Sequence, residues 1–284
     1  MTALCYSVPA PAFIECMQYD FMKNAALAVL LASPIFALLG TMVVGNRLVF
    51  FSDVLGHSAL AGLGIGVLLG LGEPLWSMVA FSALLAVGVN VFRRITNAAN
   101  DTILGVFLAT VVALGVMILS RGGGFARFSS YLIGDILAVT PQQITFLGLL
   151  LVLVVAYWFL AGNALVLVGI SPTLARSRNV PAFLIETSFT LLLAVVVIFS
   201  IRLVGILIIN SLLILPAAAA RNLASDMRGY TLWTLGISFV CGFAGLIASY
   251  YWGTAAGATI VLFAAACYAA AATAGSLVRR RNEA

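Results

Sequence analysis

Residues 143–161 read QITFLGLLLVLVVAYWFLA and contain no charged side chain. A helix needs about 20 predominantly apolar residues to cross the hydrocarbon core of a bilayer. Backbone N–H and C=O groups cannot stay unpaired in hydrocarbon, and a helix pairs them within its own segment. A spanning strand would be about half this length and would alternate polar with apolar residues. The stretch therefore predicts a membrane-spanning α-helix.

The same pattern recurs along the chain. Eight further apolar runs, bounded by charged or turn residues, lie at about 25–44, 51–70, 75–92, 102–120, 183–200, 203–220, 230–251 and 255–277. Hydrophobic residues make up 63% of the 284 residues and charged residues 8%, too few to cover a water-soluble surface. We expect an all-α membrane protein, a polytopic bundle of about 8–10 transmembrane helices. A single membrane domain would span 25–278, between an N-terminal segment at 1–24 and a basic cytoplasmic tail at 279–284.

Two connectors are longer than the others. The first, at about 121–142, contains an apolar piece at 131–139 that is too short to cross the bilayer straight and is a candidate re-entrant segment. The second, at about 162–182, carries Arg176 and Arg178. We expect the second connector to be cytoplasmic and long enough to contact a soluble partner.

The distribution of basic residues leaves the orientation of the first half open. Cytoplasmic segments of membrane proteins are enriched in Lys and Arg, which places Arg279–Arg281 in the cytoplasm. With nine crossings, Arg47, Arg93 and Arg94 are also cytoplasmic. A tenth crossing at 131–139 moves these three outside and brings three other basic residues in. Both arrangements leave ten basic residues inside and four outside.

Two residue counts exclude whole classes of site. Lys23 is the only Lys and lies in Met-Lys-Asn, so the chain has no P-loop for ATP, which requires Gly-Lys-Ser/Thr. His57 is the only His, so His-Glu-x-x-His sites and multi-histidine zinc sites are impossible. The net charge of +5 comes from Arg residues scattered between apolar runs, so we expect no nucleic-acid partner.

An ionisable pair lies near the start of the second apolar run, in FSDVLGHS at 51–58. Asp53 and His57 are four residues apart and share one face of a helix, one turn from each other. Ionisable side chains within a membrane segment are costly and mark functional sites or pathways. A carboxylate and an imidazole suit a first-row divalent metal. From spacing alone, the alternative is an interfacial Asp53 and a His57 bonded to a neighbouring helix.

Small residues and prolines predict where helices meet or bend. A row of small residues continues beside that pair at every fourth position, namely Ser58, Gly62, Gly66 and Gly70. Such rows let helix backbones approach closely in membranes, so we interpret this one as helix packing along a pathway. Pro34 and Pro216 lie inside apolar runs and are candidate kink or gating points.

Four separated segments together resemble the permease subunits of ABC-type zinc, manganese and iron importers. The segments are NRLVFFSDVLGHSA at 46–59, NDTILG at 100–105, YLIGDILAV at 131–139, and VGILII at 204–209 running on to LPAAAAR at 215–221. They occur in the order and spacing of that family, and the resemblance covers roughly residues 20–278.

The resemblance implies a homodimer of permeases in the cytoplasmic membrane of a bacterium. Each permease would dock a separate cytoplasmic ATPase subunit, which binds the ATP, and would receive its divalent metal from an extracytoplasmic binding protein. The chain itself would be no enzyme and would hold no permanent cofactor. Zinc is favoured over manganese or iron as the transported metal.

The resemblance also assigns residues. The Asp-x-x-x-His pair of the family falls on Asp53 and His57, as metal ligands. Its ATPase-docking segment falls on about Ser171 to Ala182. The predicted docking residues are Ser171, Leu174, Ala175, Arg176, Arg178 and Asn179. Where the family usually has an acidic residue and a Gly, this chain has Ser171 and Asn179.

Two other functions remain as alternatives. A permease for metal chelates or vitamin B12-like ligands is also helix-rich, but its wide pathway would need no Asp–His pair. An intramembrane enzyme would need further catalytic groups: Ser58 is adjacent to His57 and points elsewhere on a helix, and a metalloenzyme would lack ligands. The residues favour transport of a free metal ion over both alternatives.

Overall fold

The computed structural model of the chain describes residues 19–96, 98–121 and 136–283. These residues form ten α-helices and one short 3-10 helix at Ile136–Ala138, and they contain no strand. The α-helices are α1 (Asp20–Gly45), α2 (Val49–Leu68), α3 (Leu75–Ile95), α4 (Asn100–Arg121), α5 (Pro141–Ile170), α6 (Pro172–Ser177), α7 (Ala182–Val204), α8 (Ile206–Leu223), α9 (Met227–Trp252) and α10 (Ala256–Glu283).

The predicted fold class is confirmed. Eight of these helices, all except α6 and α8, are long and apolar enough to cross a membrane. The remaining predicted span, 203–220, falls on α8, in which Ser211–Leu223 is a shorter apolar stretch. Gly205, with φ +85°, is the only residue between α7 and α8, so the chain reverses there in a single step. The protein is a multi-pass helical membrane protein.

Two predicted segments differ from the structure in their bounds or their local form. The connector expected at 162–182 is much shorter, because α5 continues to Ile170 and only residues 171–181 separate it from α7. Leu165 and Val168 are buried, which stabilises the end of α5 beyond residue 161, where the predicted span ended. The expected tail at 279–284 has a helical backbone to Glu283 as part of α10.

The packing of the helix ends resolves the orientation of the first half. Arg221, at the end of α8, donates a hydrogen bond to the backbone carbonyl of Val44 at 3.4 Å. Arg94, at the end of α3, lies 5.1 Å from the centre of the Phe183 ring at the start of α7. The ends that carry Arg47, Arg93 and Arg94 therefore lie on the same side as α6 and Arg221.

The positive-inside rule makes that side cytoplasmic. α2 and α4 run parallel, since Leu60 faces Gly115 and Gly64 faces Ile118, so α4 ends on the opposite side. α5 begins on that opposite side, where Gln142 lies beside Glu73 of the α2–α3 loop. α4 thus ends on the same side on which α5 begins, as in the nine-crossing arrangement. Residues 131–135 of the candidate re-entrant piece lie outside the described part of the chain.

The innermost helices are α1 and α2. α1 packs against α5, α8 and α9, whereas α2 packs against α3, α4 and α7. Gly40 of α1 lies directly against the backbone carbonyl of Leu213 in α8, one turn before Pro216. Both Pro34 and Pro216 lie inside continuous helices, and their role as kink or gating points stays a prediction.

Three members of the small-residue row form the contact between α2 and α3. Ser58 and Ser82 share a buried hydrogen bond, and Ser77 Oγ donates to the backbone carbonyl of Gly62 at 2.9 Å. A Cβ added to Gly62 would lie 2.6 Å from the Cα of Met78, and one on Gly66 would overlap Ser77 Oγ. The row therefore packs helices together, as close small-residue contacts do in membranes.

The fourth member of the row, Gly70, does not belong to this contact. α2 ends at Leu68, and Gly70 has φ +66° with open space around its Cα. Its N–H donates to Val67 O, while the N–H of Leu71 donates to Gly66 O, which is a Schellman motif. Gly70 ends the helix because glycine adopts positive φ without steric cost.

Two other helices end in the same motif with a residue that is not glycine. Arg47 follows α1 with φ +57°, and Asn179 follows α6 with φ +56°. The N–H of Leu48 donates to Val43 O at 2.8 Å, and the N–H of Val180 donates to Ala175 O at 2.9 Å. Each turn is thus fixed by backbone hydrogen bonds that satisfy carbonyls at the helix end.

Gly62→Ala tests the α2–α3 contact. The added methyl group must push the α3 backbone away, and we expect a loss of about 1–3 kcal/mol, typical of overpacking. Gly88→Ala is the matched control, because Gly88 is a helical glycine of α3 with nothing within 4 Å of the new Cβ. The free energies of unfolding, measured by titration with a denaturing detergent, should separate the two variants. Equal stability would contradict the contact.

Asn179→Val tests the turn after α6. A β-branched residue in the left-handed region costs about 1–2 kcal/mol, so the turn should open more often. Hydrogen exchange of the Val180 amide should become about 5- to 30-fold faster, as that cost implies. Asn179→Gly should keep the protection, and so should Arg178→Val, because Arg178 has φ −96°. Unchanged exchange in Asn179→Val would show that φ does not control this turn.

Candidate metal site

The ionisable pair lies in the first half of α2, toward the side that carries α6 and Arg221. Counted from Val49, Asp53 is about 6 Å and His57 about 12 Å along a helix about 30 Å long. Both side chains are half-buried, and they are close enough to interact electrostatically. The structure therefore places the two residues within a membrane-spanning helix, one turn apart, as their spacing predicts.

The stripe of α2 that carries the pair is packed most tightly toward the opposite side of the membrane. Leu60, Ala61 and Gly64 continue the stripe in that direction and are buried. α4 covers them closely: a Cβ on its Gly115 would lie 2.9 Å from Leu60 Cβ and 3.0 Å from Ala61 N. Asp53 and His57, nearer the start of α2, are half-buried.

The imidazole of His57 has an unused ring nitrogen. Its Nδ1 atom is buried, and no atom among the described residues forms a hydrogen bond with it. A buried polar atom without a partner costs free energy and calls for an explanation. A neutral imidazole nitrogen is a common ligand for divalent transition metals, so a passing metal ion would satisfy it.

The pair alone is an incomplete site. Within residues 19–96, 98–121 and 136–283, no group of three or more His, Cys, Asp or Glu side chains is close enough to hold a metal. Zinc in a protein usually takes four ligands. Any further ligands would come from backbone carbonyls, from water or from another chain.

The predicted docking segment forms a compact corner around α6. Ser171 is both the C-cap of α5 and the N-cap of α6. Its Oγ accepts a hydrogen bond from the N–H of Leu174 at 3.4 Å. Ala175 is fully buried and anchors α6 to the bundle, so it is not available to a partner. The other predicted docking residues except Ser171 are exposed, namely Leu174, Arg176, Arg178 and Asn179.

The structure explains both departures from the family pattern in this segment. Ser171 occupies an N-cap, where serine and an acidic residue accept the same backbone hydrogen bond. Asn179 occupies a position of positive φ, where asparagine is the residue best tolerated after glycine. Each replacement therefore keeps the local backbone geometry.

A basic cavity beside α6 was missed from the sequence. A space of about 560 Å³ is bordered by the α3–α4 turn and the start of α7, and its lining includes Arg93, Arg94 and Arg176. The sequence analysis used Arg93 and Arg94 only for orientation, because they are 80 residues or more from Arg176 in the sequence. The cation–π contact between Arg94 and Phe183 brings these parts of the chain together.

Comparisons with known proteins agree with this architecture. The profile of the ABC 3 transport family matches residues 18–275. The high-affinity zinc uptake system membrane protein ZnuB of Haemophilus influenzae is 30% identical over 87% of this chain and 95% of its own length. The manganese transport system membrane protein MntC of Listeria monocytogenes is 23% identical over 87% of this chain and 88% of its own length.

A solved structure shares the fold. The chain is similar to one in the complex of PsaBC from Streptococcus pneumoniae with a Fab, with a TM-score of 0.80 and 22% identity over 93% of this chain and 95% of that chain. The family profile spans nearly all of the helical bundle, including the docking corner and the helix that carries Asp53 and His57. The chain therefore belongs to the ABC 3 transport family.

Proposed function

We propose that this chain is the membrane-spanning subunit of an importer that moves a divalent transition metal, with zinc favoured, across the cytoplasmic membrane of a bacterium. A second copy of the chain would complete the pathway. A separate cytoplasmic ATPase would supply the energy, and an extracytoplasmic binding protein would deliver the metal. Alternating access of the helices would carry the ion from one side to the other.

The observation that carries this proposal is the Asp53–His57 pair with its unpartnered His57 Nδ1. A carboxylate and a half-buried imidazole on one face of a helix can hold a divalent metal ion as transported substrate. Transport requires binding that is selective but weak enough for release. Two ligands from this chain allow release, whereas a closed four-ligand site would retain the metal.

The choice of zinc rests on similarity. The relative whose name refers to zinc is 30% identical to this chain, and the relative whose name refers to manganese is 23% identical. Asp and His serve as ligands for zinc, manganese and iron, so ligand type alone does not separate them. Manganese and iron are therefore the alternative substrates within the same family.

The docking corner supports a separate ATPase. The chain has one Lys and no P-loop, so ATP must be bound elsewhere. α6 lies outside the spanning helices, on the cytoplasmic side, and exposes Leu174, Arg176 and Arg178. A short helix with an apolar and a basic side chain on its exposed surface suits a contact with a soluble subunit.

Asp53→Asn and His57→Ala test the metal site. Each removes one of the two ligands, so we expect the initial rate of zinc uptake to fall by more than about tenfold, as loss of groups in a metal site does. Uptake of radioactive zinc would be measured in vesicles that contain the permease, its ATPase and its binding protein.

Asp20→Asn is the matched control, because its side chain is 93% exposed and lies at the far end of α1. Copurification of the ATPase should be equal in all three variants. Uptake at the normal rate in either Asp53→Asn or His57→Ala would exclude this pair as the metal site.

Competition between metals tests the substrate. Unlabelled zinc should inhibit uptake of radioactive zinc at a lower concentration than manganese or ferrous iron does, because a partial site of one carboxylate and one imidazole binds zinc more strongly than either ion. Uptake of radioactive manganese that zinc inhibits only weakly would favour the manganese alternative. Transport of a metal chelate but of no free ion would contradict both.

A further inference from the structure

The side chain of Asn46 packs directly on Gly169. Asn46 lies in the three-residue turn between α1 and α2, and Gly169 is the next-to-last residue of α5. A Cβ added to Gly169 would overlap the side-chain oxygen of Asn46 and would lie 2.9 Å from its Cγ. Only glycine at 169 allows the two segments to approach this closely.

Asn46 is held firmly on its own side of the contact. Its Nδ2 donates a hydrogen bond to Met42 O at 2.8 Å, and its backbone N–H donates to the same carbonyl at 2.9 Å. The next residue, Arg47, adopts positive φ in the Schellman motif that ends α1. The side chain therefore moves with the turn as one unit.

The two residues of this contact lie next to the two functional segments: Gly169 is close to the docking helix α6, and Asn46 is close to α2, which carries the metal site. After Gly169 only Ile170 and Ser171 precede α6, and Ser171 caps α6 directly. After Asn46 only two residues precede α2, whose fifth residue is Asp53. The contact is thus a short physical connection between the docking helix and the helix of the metal site.

A cavity lies beside the contact. It has a volume of about 310 Å³, and its lining includes Asn46, Gly169, Arg221 and Asp226. Val44, two residues before Asn46, accepts a hydrogen bond from Arg221 of α8 at 3.4 Å. The turn that carries Asn46 therefore has space beside it, while the end of α1 is bonded to α8.

We propose that Asn46 is a positioning residue that couples α6 to α2 through its contact with Gly169. Movement of α6, driven by the ATPase, displaces the end of α5, and the close contact passes this displacement through the α1–α2 turn to Asp53 and His57. The inference rests on the proposed function, since it requires α6 to receive the ATPase and α2 to hold the metal. Coupling of this kind needs a continuous packed connection, which the contact provides.

Gly169→Ala tests the coupling in vesicles that contain the permease, its ATPase and its binding protein, with radioactive zinc as the probe. Zinc uptake and ATP hydrolysis are measured in the same sample. The added methyl group separates the turn from α5, so the amount of zinc transported per ATP should fall about tenfold, within the usual range of coupling between sites. Hydrolysis and copurification of the ATPase should stay close to those of the unsubstituted chain.

The matched control is Gly148→Ala, in the same helix, because a Cβ there has nothing within 4 Å. It should transport as much zinc per ATP as the unsubstituted chain. The second variant is Asn46→Ala combined with Gly169→Ala, in which the smaller side chain makes room for the new methyl group. The amount of zinc that this double variant transports per ATP should be closer to that of the unsubstituted chain than in Asn46→Ala or Gly169→Ala alone. Such a non-additive result is expected of residues in contact.

Three results would overturn the inference. The first is an unchanged amount of zinc transported per ATP in Gly169→Ala. The second is an equal loss of zinc uptake and ATP hydrolysis that the double variant does not restore, and the third is additivity of the effects of the two substitutions. Failure of the proposed function is distinguishable from these, because the unsubstituted chain would then show no ATP-dependent zinc uptake at all.

Discussion

Lipid hydrocarbon offers no hydrogen-bond partners, so every peptide group of this chain within the membrane must be paired by the protein itself. The described residues meet this constraint with α-helices throughout their spanning part. Helices in lipid gain little from the hydrophobic effect and associate through close contact of their surfaces. Gly62 and Gly66 bring α3 onto α2, and Gly64 and Gly115 bring α4 onto it. α2 is thus held on two sides, and the site depends on this arrangement.

The polar groups of the bundle show why Asp53 and His57 stand out. Other buried polar side chains bond across helices, as Asn90 does to Thr190 Oγ1 at 2.7 Å and Ser238 to the Ser33 carbonyl at 3.2 Å. Five buried side-chain atoms of the described residues have no hydrogen-bond partner, and four of them are neutral oxygen atoms. His57 Nδ1 is the only nitrogen among the five, and it shares a helix face with a carboxylate. That combination is suited to a metal ion, whereas isolated oxygen atoms are not.

Much of the fold followed from the sequence because hydropathy acts locally. Eight of the nine predicted spans coincide with helices long and apolar enough to cross a membrane, and the ninth falls on α8. The errors arose where a local signal competed with packing. The predicted span ended at residue 161, but burial of Leu165 and Val168 carries the helix on to Ile170. Gly70 continued a row of small residues, yet it lies beyond the end of α2, where its positive φ closes the turn.

The sequence alone determined that this chain is a multi-span helical protein with one carboxylate–imidazole pair on one helix face. Both properties depend on residues within a turn or a single span of each other. Only the tertiary structure decided on which side Arg47, Arg93 and Arg94 lie, because basic-residue counts were equal for both orientations. It also decided that Asp53 and His57 are half-buried within the bundle, and that Asn46 meets Gly169. Those facts depend on contacts between helices far apart in the chain, which local hydropathy and spacing do not encode.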